Sequence, residues 1–209
     1  MPDSVRNNLV FLLAWGSGER LYPLTRDRAK PAVPFGGIYR IVDLTLSNCI
    51  NSNLRRIFVL TQYKSLSLNR HIRDGWNILP SELCEFINIL PLMMRTGEHW
   101  YRGTADAIYQ NLYSIGTEPH KFILVLAADH VYKMNYHLML KQHAEADADL
   151  TVGVIEFDRS EAARFGACEL DRNNRIVGWE EKPAQPKCSP NNPKSVLSRW
   201  AFTASAANS

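Results

Sequence analysis

Short apolar runs bounded by turn-forming residues recur along the chain and predict β-strands. These runs cover residues 9–13, 56–61, 122–127, 150–157 and 175–179. The stretches between them place apolar residues at helical spacing, which predicts helices over residues 44–53, 65–75, 104–115 and 136–146. Strand and helix therefore alternate along most of the sequence.

This alternation predicts an α/β fold: a Rossmann-like, mostly parallel sheet with helices on both faces. Ligands bind such sheets at the carboxyl ends of the strands, so we expect the chemistry in the loops that follow strands. Asn173-Asn174, between two short apolar segments, predicts a hairpin turn late in the chain.

The residue composition changes at Pro183. Four prolines fall within a short polar stretch there, which predicts a surface loop. Residues 201–209 are small and polar without an apolar period, and we expect them to be frayed. We therefore predict one domain over residues 1–198 and an irregular tail over residues 199–209.

Composition excludes several classes of protein. The 209 residues are 45% apolar and 22% charged, which predicts one sizeable core and excludes a disordered chain. Lys and Arg exceed Asp and Glu by only 24 to 21 and are scattered, so we expect no nucleic-acid partner. Cys49, Cys84, Cys168 and Cys188 stand far apart, which argues against a zinc site or disulfide scaffold and suits the cytoplasm. Neither a signal peptide nor a membrane span is predicted.

The first chemical motif follows the first predicted strand. Ala14, Gly16 and Gly18 stand there, followed by Arg20 and Lys30. Glycines after a buried strand let backbone N–H groups approach phosphate oxygens, and the two cations supply charge for a polyphosphate. The string predicts a nucleotide site.

The longer string resembles a known family. Residues 14–21 and 28–37, with Arg40-Ile41-Val42-Asp43, look like the N-terminal signature of sugar-phosphate nucleotidyltransferases. With residues 47–52, Ser-Asn-Cys-Ile-Asn-Ser, the string resembles the bacterial glucose-1-phosphate adenylyltransferases. The resemblance covers about residues 9–198 and implies nucleotide binding by Ala14, Gly16, Gly18 and Arg20. It also implies an effector site that involves Lys30 and Arg40.

Two further segments carry the resemblance. Residues 97–107 contain Trp100-Tyr101-Arg102-Gly103-Thr104, and Tyr101 matches a position that contacts the sugar phosphate in the family. Residues 125–132 form an apolar strand that ends in Asp129. A carboxylate at a strand's carboxyl end suits Mg²⁺, which prefers oxygen ligands, so Asp129 is the predicted metal ligand.

The last motif combines Gly166 with Glu180-Glu181-Lys182-Pro183. In the resembling family the corresponding residues hold the sugar phosphate. The resemblance implies close backbone approach at Gly166, contact with sugar hydroxyls at Glu181 and contact with the phosphate at Lys182.

The resemblance implies one reaction: transfer of the adenylyl group of ATP to α-D-glucose 1-phosphate, which gives ADP-glucose and diphosphate for glycogen synthesis. Such in-line transfer needs positioning and charge neutralisation more than a nucleophilic side chain. Arg20, Asp129 and Lys182 are the expected catalytic residues, with Mg²⁺ as cofactor. Sugar-phosphate and nucleotide effectors and a homo-tetramer are implied by the resemblance alone.

The sequence departs from the family's pattern at two places. Trp15 stands where family members have Gly, and we expect its indole to weaken ATP binding. Relatives continue beyond the proline-rich loop with a Met-Gly-x-Tyr strand, a second metal-binding Asp and a β-helix domain. We therefore expect an incomplete C-terminus, which together with Trp15 should leave this chain inactive, and we hypothesise that residues 199–209 arise from a shifted reading frame.

Two alternative functions stay open on the sequence. A sugar-1-phosphate nucleotidyltransferase that uses dTTP, UTP or CTP shares the glycine loop and Glu-Lys-Pro. A non-catalytic nucleotide-binding regulatory subunit is favoured by Trp15 and by the incomplete C-terminus. Turnover with a panel of nucleotides separates these alternatives.

Overall fold

The structure is a computed structural model that describes residues 7–16, 18–62, 64–91, 103–158, 160, 166–181, 183 and 195–206. The chain forms two compact units. The first comprises Met1–Thr151 together with Ala204–Ser209, and the second comprises Val152–Thr203.

The first unit alternates strands and helices. In chain order its elements are β1 (Leu9–Leu13), β2 (Pro34–Phe35), β3 (Tyr39–Arg40), α1 (Ile41–Asn51), β4 (Arg56–Thr61), α2 (Leu66–Gly75), β5 (Phe86–Pro91), α3 (Thr104–Gln110), α4 (Leu112–Gly116), β6 (Phe122–Ala127) and α5 (Tyr136–Glu145). Short 3₁₀ helices span Glu19–Leu21, Lys30–Ala32 and Ser81–Leu83.

The sheet of this unit has the strand order β5-β4-β1-β6, and its neighbouring strands are parallel. Leu13 lies level with Leu60 of β4 and with Ala127 of β6, so these three strands end at one edge of the sheet. Every residue of β1 and β4 is buried, which requires both faces of the central strands to be covered. The predicted mostly parallel α/β fold is confirmed.

One face of the central strands packs on α3 and α4. The cluster there contains Leu9, Phe11 and Leu13 of β1, Phe58 and Leu60 of β4, and Ala107 and Ile115 of the helices. Phe11 and Phe58 place their ring centroids 5.4 Å apart, within the range of favourable aromatic pairs. This core supports the edge of the sheet at which the glycine loop begins.

The second unit is antiparallel. The strand β7 (Leu150–Asp158) leads into it, and β8 (Ala167–Leu170) pairs with both β9 (Ile176–Glu180) and β10 (Ser195–Ala206). The Asp171 carboxylate accepts hydrogen bonds from the N–H groups of Asn173 and Arg175, and Asn174 adopts φ 60°. The predicted hairpin at Asn173-Asn174 is confirmed.

The tail requires a correction. We expected an irregular segment over residues 199–209, but residues 199–206 belong to β10. Residues 199–206 continue a strand that already pairs with β8 at Leu197 and Ser198, and backbone pairing of this kind does not require an apolar period. The division at residue 198 and the shifted reading frame remain predictions. Among the residues that the structure describes, no helix is long and apolar enough to cross a membrane.

Candidate active site

The glycine loop leaves the sheet at the end of β1. The N–H of Ala14 donates to the carbonyl of Leu60 at 2.9 Å, which is the last bond to the neighbouring strand before Gly16 turns at φ +138°. Gly18 follows in the left-handed region at φ +61°. A Cβ on Gly18 would lie 2.8 Å from Cγ2 of Thr25 and 3.0 Å from Cβ of Lys30. Gly18 is therefore required both by its backbone conformation and by the closeness of its neighbours.

Lys30 is fixed beside this loop. Its N–H donates to the carbonyl of Gly16 at 3.4 Å, and the Thr25 hydroxyl donates to the carbonyl of Gly18 at 3.0 Å. These bonds fold the segment between Gly18 and Lys30 back onto the loop. The Nζ of Lys30 then lies 3.0 Å from Oδ2 of Asp129. The structure thus brings together the glycine loop, Lys30 and Asp129, as the parallel sheet implies.

Asp129 lies two residues beyond β6, at the edge where β1 also ends. Partial burial by itself raises the pKa of this carboxyl. The hydrogen bonds and positive charges of His130 and Lys30 outweigh that effect and lower the pKa to about 2. The side chain is 25% exposed, so the ionised carboxylate is accessible to a cation. The described residues contain no cluster of three or more metal-ligating side chains, and Mg²⁺ typically combines one or two carboxylates with substrate phosphates. The Asp129 carboxylate fits this mode of Mg²⁺ binding, in which the protein supplies only one or two ligands.

His130 also contributes to this site. Its Nδ1 lies 2.8 Å from Oδ1 of Asp129, so the two oxygens of the carboxylate face different cationic or polar partners. In the sequence, His130 is indicated as a site residue only by its position directly after Asp129.

Two other predicted cations, Arg20 and Arg40, also belong to the first unit. Arg20 is exposed on the 3₁₀ helix Glu19–Leu21. Arg40 precedes α1, and its Nη1 donates to the carbonyl of Ala32 at 2.9 Å. Burial, with the charge of Arg28 as a second cause, lowers the pKa of the Arg40 guanidinium. Arg28 and Arg40 thus supply neighbouring positive charge, which is the property that an anionic effector requires.

A buried carboxylate that the sequence did not single out organises this region. Asp43 accepts the N–H of Arg40 at 2.7 Å, and it also contacts Nε2 of His71 at 2.7 Å and Nε1 of Trp76 at 2.7 Å. It therefore ties the start of α1 to the middle of α2 and to the residue that follows its C-terminal end. An acid three residues after Arg40, in the first turn of a helix, was the signal that could have identified it.

Gly166 and Glu181 meet in the second unit. A Cβ on Gly166 would collide with the Trp179 ring and lie 3.0 Å from Oε2 of Glu181. Gly166 thus lies close to Trp179 and Glu181, and the assignment of Gly166 and Glu181 to the sugar phosphate stays a prediction. Tyr101 and Lys182 lie outside the described residues.

Trp15 packs against the core. Its half-buried side chain contacts the apolar cluster of β1, β4 and α3 that is described above. The indole thus gains apolar burial at the carboxyl end of β1, where a glycine would leave that surface open.

The profile of the nucleotidyl transferase family matches residues 9–204, so the chain belongs to that family. Among similar proteins, glucose-1-phosphate adenylyltransferase of Koribacter versatilis is 60% identical over 190 residues, which are 90% of this chain and 46% of that protein. Glucose-1-phosphate adenylyltransferase of Paraburkholderia phytofirmans is 52% identical over 198 residues, 94% of this chain and 47% of that protein. Glucose-1-phosphate adenylyltransferase 2 of Vibrio cholerae is 50% identical over 193 residues, 92% of this chain and 47% of that protein.

These relatives confirm the resemblance that the glycine loop and the Ser47–Ser52 motif predicted. The chain spans about half the length of the curated relatives it matches.

Proposed function

We propose that this chain carries the nucleotide-binding part of a glucose-1-phosphate adenylyltransferase. The reaction transfers the adenylyl group of ATP to α-D-glucose 1-phosphate. The observation that carries the proposal is the convergence of the glycine loop, Lys30 and Asp129 at one edge of the parallel sheet. The names and similarity of the relatives support ATP as the nucleotide.

The reaction is an in-line displacement at the α-phosphorus of ATP. A phosphate oxygen of glucose 1-phosphate forms a bond to that phosphorus while the bond to the bridging oxygen of the β-phosphate breaks, and diphosphate leaves. The glycine loop lets its backbone approach the phosphates, and Lys30 and Arg20 supply positive charge. Charge neutralisation and alignment lower the barrier without a nucleophilic side chain.

Asp129 is the proposed Mg²⁺ ligand. Its low pKa keeps the carboxylate ionised at any pH at which the protein works, so no proton has to leave before a cation binds. A bound Mg²⁺ would neutralise phosphate charge and orient the triphosphate. Lys30, which pairs with Asp129 in this structure, is positioned to contact the same phosphates.

Gly166, Glu181, Lys182 and Tyr101 are the proposed sugar-phosphate residues. The close approach of Gly166 to Glu181 supports this assignment for those two residues. Lys30 and Arg40 are also the proposed effector residues, and the electrostatic interaction between Arg28 and Arg40 supports an anionic effector. We place the reaction in the cytoplasm, in glycogen synthesis, and we propose the homo-tetramer that the resemblance implies.

The test is ADP-glucose formation from ATP and glucose 1-phosphate with Mg²⁺, measured chromatographically with parallel reactions in dTTP, UTP and CTP. We expect ATP to be the nucleotide that supports turnover, in this chain or in a version that carries Trp15→Gly and a restored C-terminus, and we expect Asp129→Asn to lower that turnover about 100-fold or more, because the variant removes the charge that holds the cation. Asp74→Asn is the matched control, since Asp74 is an exposed carboxylate that pairs with Arg73 on the surface. Preference for another nucleotide would overturn the choice of ATP.

A second function is supported by Trp15. The indole lies at the carboxyl end of β1, directly before the glycine that approaches the nucleotide. Nucleotide binding without turnover, in the presence of glucose 1-phosphate and Mg²⁺, would favour a regulatory subunit. Turnover in Trp15→Gly but not in the parent chain would favour a catalytic function over a regulatory one.

A further inference from the structure

The segment that carries Asp129 lacks regular structure. Between the end of β6 at Ala127 and the start of α5 at Tyr136, residues 128–135 form neither helix nor strand. Val131 within it is 54% exposed, so apolar packing at that residue contributes little to fixing the backbone. Lys30 and His130 contact the carboxylate of Asp129 itself, and the irregular backbone that carries it needs support of its own.

Side chains of α1 and its C-terminal cap supply that support. Thr45, Asn48 and Ser52 follow one another at spacings of three and four residues, which places them on one face of the helix. All three are buried. We call these three residues the polar face of α1.

The polar face contacts the backbone on both sides of Asp129. The Nδ2 of Asn48 donates to the carbonyl of Tyr132 at 2.9 Å, and the Ser52 hydroxyl accepts the N–H of Tyr136 at 2.8 Å. The Thr45 hydroxyl lies 3.5 Å from the carbonyl of Ala127, at the near end of the segment. The bonds to Tyr132 and Tyr136 satisfy one backbone group in the irregular segment and one N–H at the start of α5.

Two tyrosines complete the support. The hydroxyls of Tyr132 and Tyr136 lie 2.6 Å apart, and they also form hydrogen bonds with Thr45 and Asn48 respectively. Burial raises the pKa of Tyr132 to about 12 and likewise raises the pKa of Tyr136. Both phenols therefore keep their protons and can donate within this network.

We propose that the polar face of α1 is the positioning element of the Asp129 segment. Thr45, Asn48 and Ser52 fix the backbone at residues 127, 132 and 136, and thereby set where the Asp129 carboxylate meets a divalent cation. The proposal rests on the proposed function for the identity of Asp129 as a metal ligand. Loss of a residue that orients a ligand typically weakens metal binding about 10- to 100-fold.

Asn48→Asp is the main test, with Asn111→Asp as its matched control. Both asparagines are buried, and each donates Nδ2 to a backbone carbonyl, at 2.9 Å to Tyr132 and at 2.8 Å to Ala107. The two isosteric substitutions each replace a donor by a carboxylate oxygen, so they impose the same kind of chemical change. Only the first faces the Asp129 segment. Ser52→Ala is a second, milder variant.

Two measurements on the full 209-residue chain decide the proposal. Amide hydrogen exchange of peptides that cover residues 128–135 reports whether the segment is held. Mn²⁺ titration followed by electron paramagnetic resonance reports the metal affinity directly, without turnover. Thermal unfolding of each variant separates local loosening from global loss of stability.

We expect Asn48→Asp and Ser52→Ala to speed exchange in residues 128–135, and Asn48→Asp to weaken Mn²⁺ binding about 10-fold or more. Asn111→Asp should lower the melting temperature without either effect. Two results for Asn48→Asp would overturn the proposal. One is exchange in residues 128–135 that is as slow as in Asn111→Asp, and the other is Mn²⁺ affinity equal to that of the parent chain.

The exchange measurement also separates this proposal from the proposed function. If Asp129→Asn binds Mn²⁺ as the parent chain does, then Asp129 is not the metal ligand and the proposed function fails. In that case, faster exchange in residues 128–135 of Asn48→Asp would still support the positioning role, and unchanged exchange would refute it.

Discussion

Lys30 and Asp129 are 99 positions apart in the sequence, yet Nζ of Lys30 lies 3.0 Å from Oδ2 of Asp129. The sequence could identify each of them separately, because one follows a glycine loop and the other ends an apolar run. It could not predict their contact, since the approach depends on the fold of the segment between Gly18 and Lys30. Asp43 was missed as a site residue for the same reason, because its partners His71 and Trp76 come from another part of the chain.

Gly18 gives the sharpest test of the loop's backbone. Gly18→Ala places a Cβ 2.8 Å from Thr25 in a left-handed conformation, and we expect it to lower the free energy of unfolding by about 1 to 3 kcal/mol. Gly116→Ala is the control, because its Cβ meets no atom within 4 Å. Denaturant unfolding measures both variants, and equal stability of the two would contradict the assigned geometry.

Replacing Trp15 by glycine should change the stability of the chain and its affinity for ATP in opposite directions. Trp15→Gly should lower the free energy of unfolding by about 1 to 2 kcal/mol, because a half-buried indole loses its packing against the core. We expect the same variant to bind ATP more tightly, since the glycine lets the loop backbone approach the nucleotide. Calorimetric titration with ATP checks this, and unchanged affinity would show that the indole does not obstruct the site.

Among the secondary-structure elements, the buried strands were easier to predict from the sequence than the partly buried ones. The bounds of β1, β4 and β6 were predicted correctly because each is a continuous apolar run near the centre of the sheet. β5 was missed: it lies at the end of the strand order, its residues are only partly buried, and it therefore lacks that signal. The single helix expected over residues 104–115 is divided at Asn111.

Helix α5 carries a pH-dependent contribution to stability. His143 is 1% exposed, and its Nδ1 lies 2.7 Å from the Thr151 hydroxyl. Burial lowers the pKa of His143, and the charge of Asp149 only partly opposes that effect. Its folded pKa thus lies below the unfolded value of about 6.5, so the contribution is complete above pH 6.5 and is lost as the pH falls further.

We expect the free energy of unfolding to fall as the pH is lowered below about 6.5, and to fall less steeply in His143→Gln, which cannot take up the proton. His137→Gln, on the same helix but partly exposed, is the control and should keep the parent slope. Urea unfolding across this range measures the slopes. A parallel pH dependence in the parent and in His143→Gln would contradict the role of this histidine.

At the scale of the whole molecule, the alternation of strands and helices was sufficient to predict the α/β class and the edge of the sheet at which chemistry is expected. It was not sufficient to predict the division into two compact units, because the antiparallel second unit depends on pairing between residues far apart in sequence. β10 shows this directly, since the pairing with β8 makes a strand of residues that carry a weak local signal.

The glycine loop, Lys30 and Asp129 meet at one edge of the sheet, where we propose one site for a nucleoside triphosphate. Calorimetric titration of the chain with ATP and Mg²⁺ tests it most directly, comparing Lys30→Met with Lys121→Met. Lys121 precedes β6 at the end opposite Asp129, so its substitution changes the net charge equally without touching the site.

We predict that Lys30→Met weakens ATP binding by about 10- to 100-fold, the effect of losing a hydrogen bond to a charged phosphate, while Lys121→Met binds as the parent chain does. Equal ATP affinity in Lys30→Met and Lys121→Met would contradict the account.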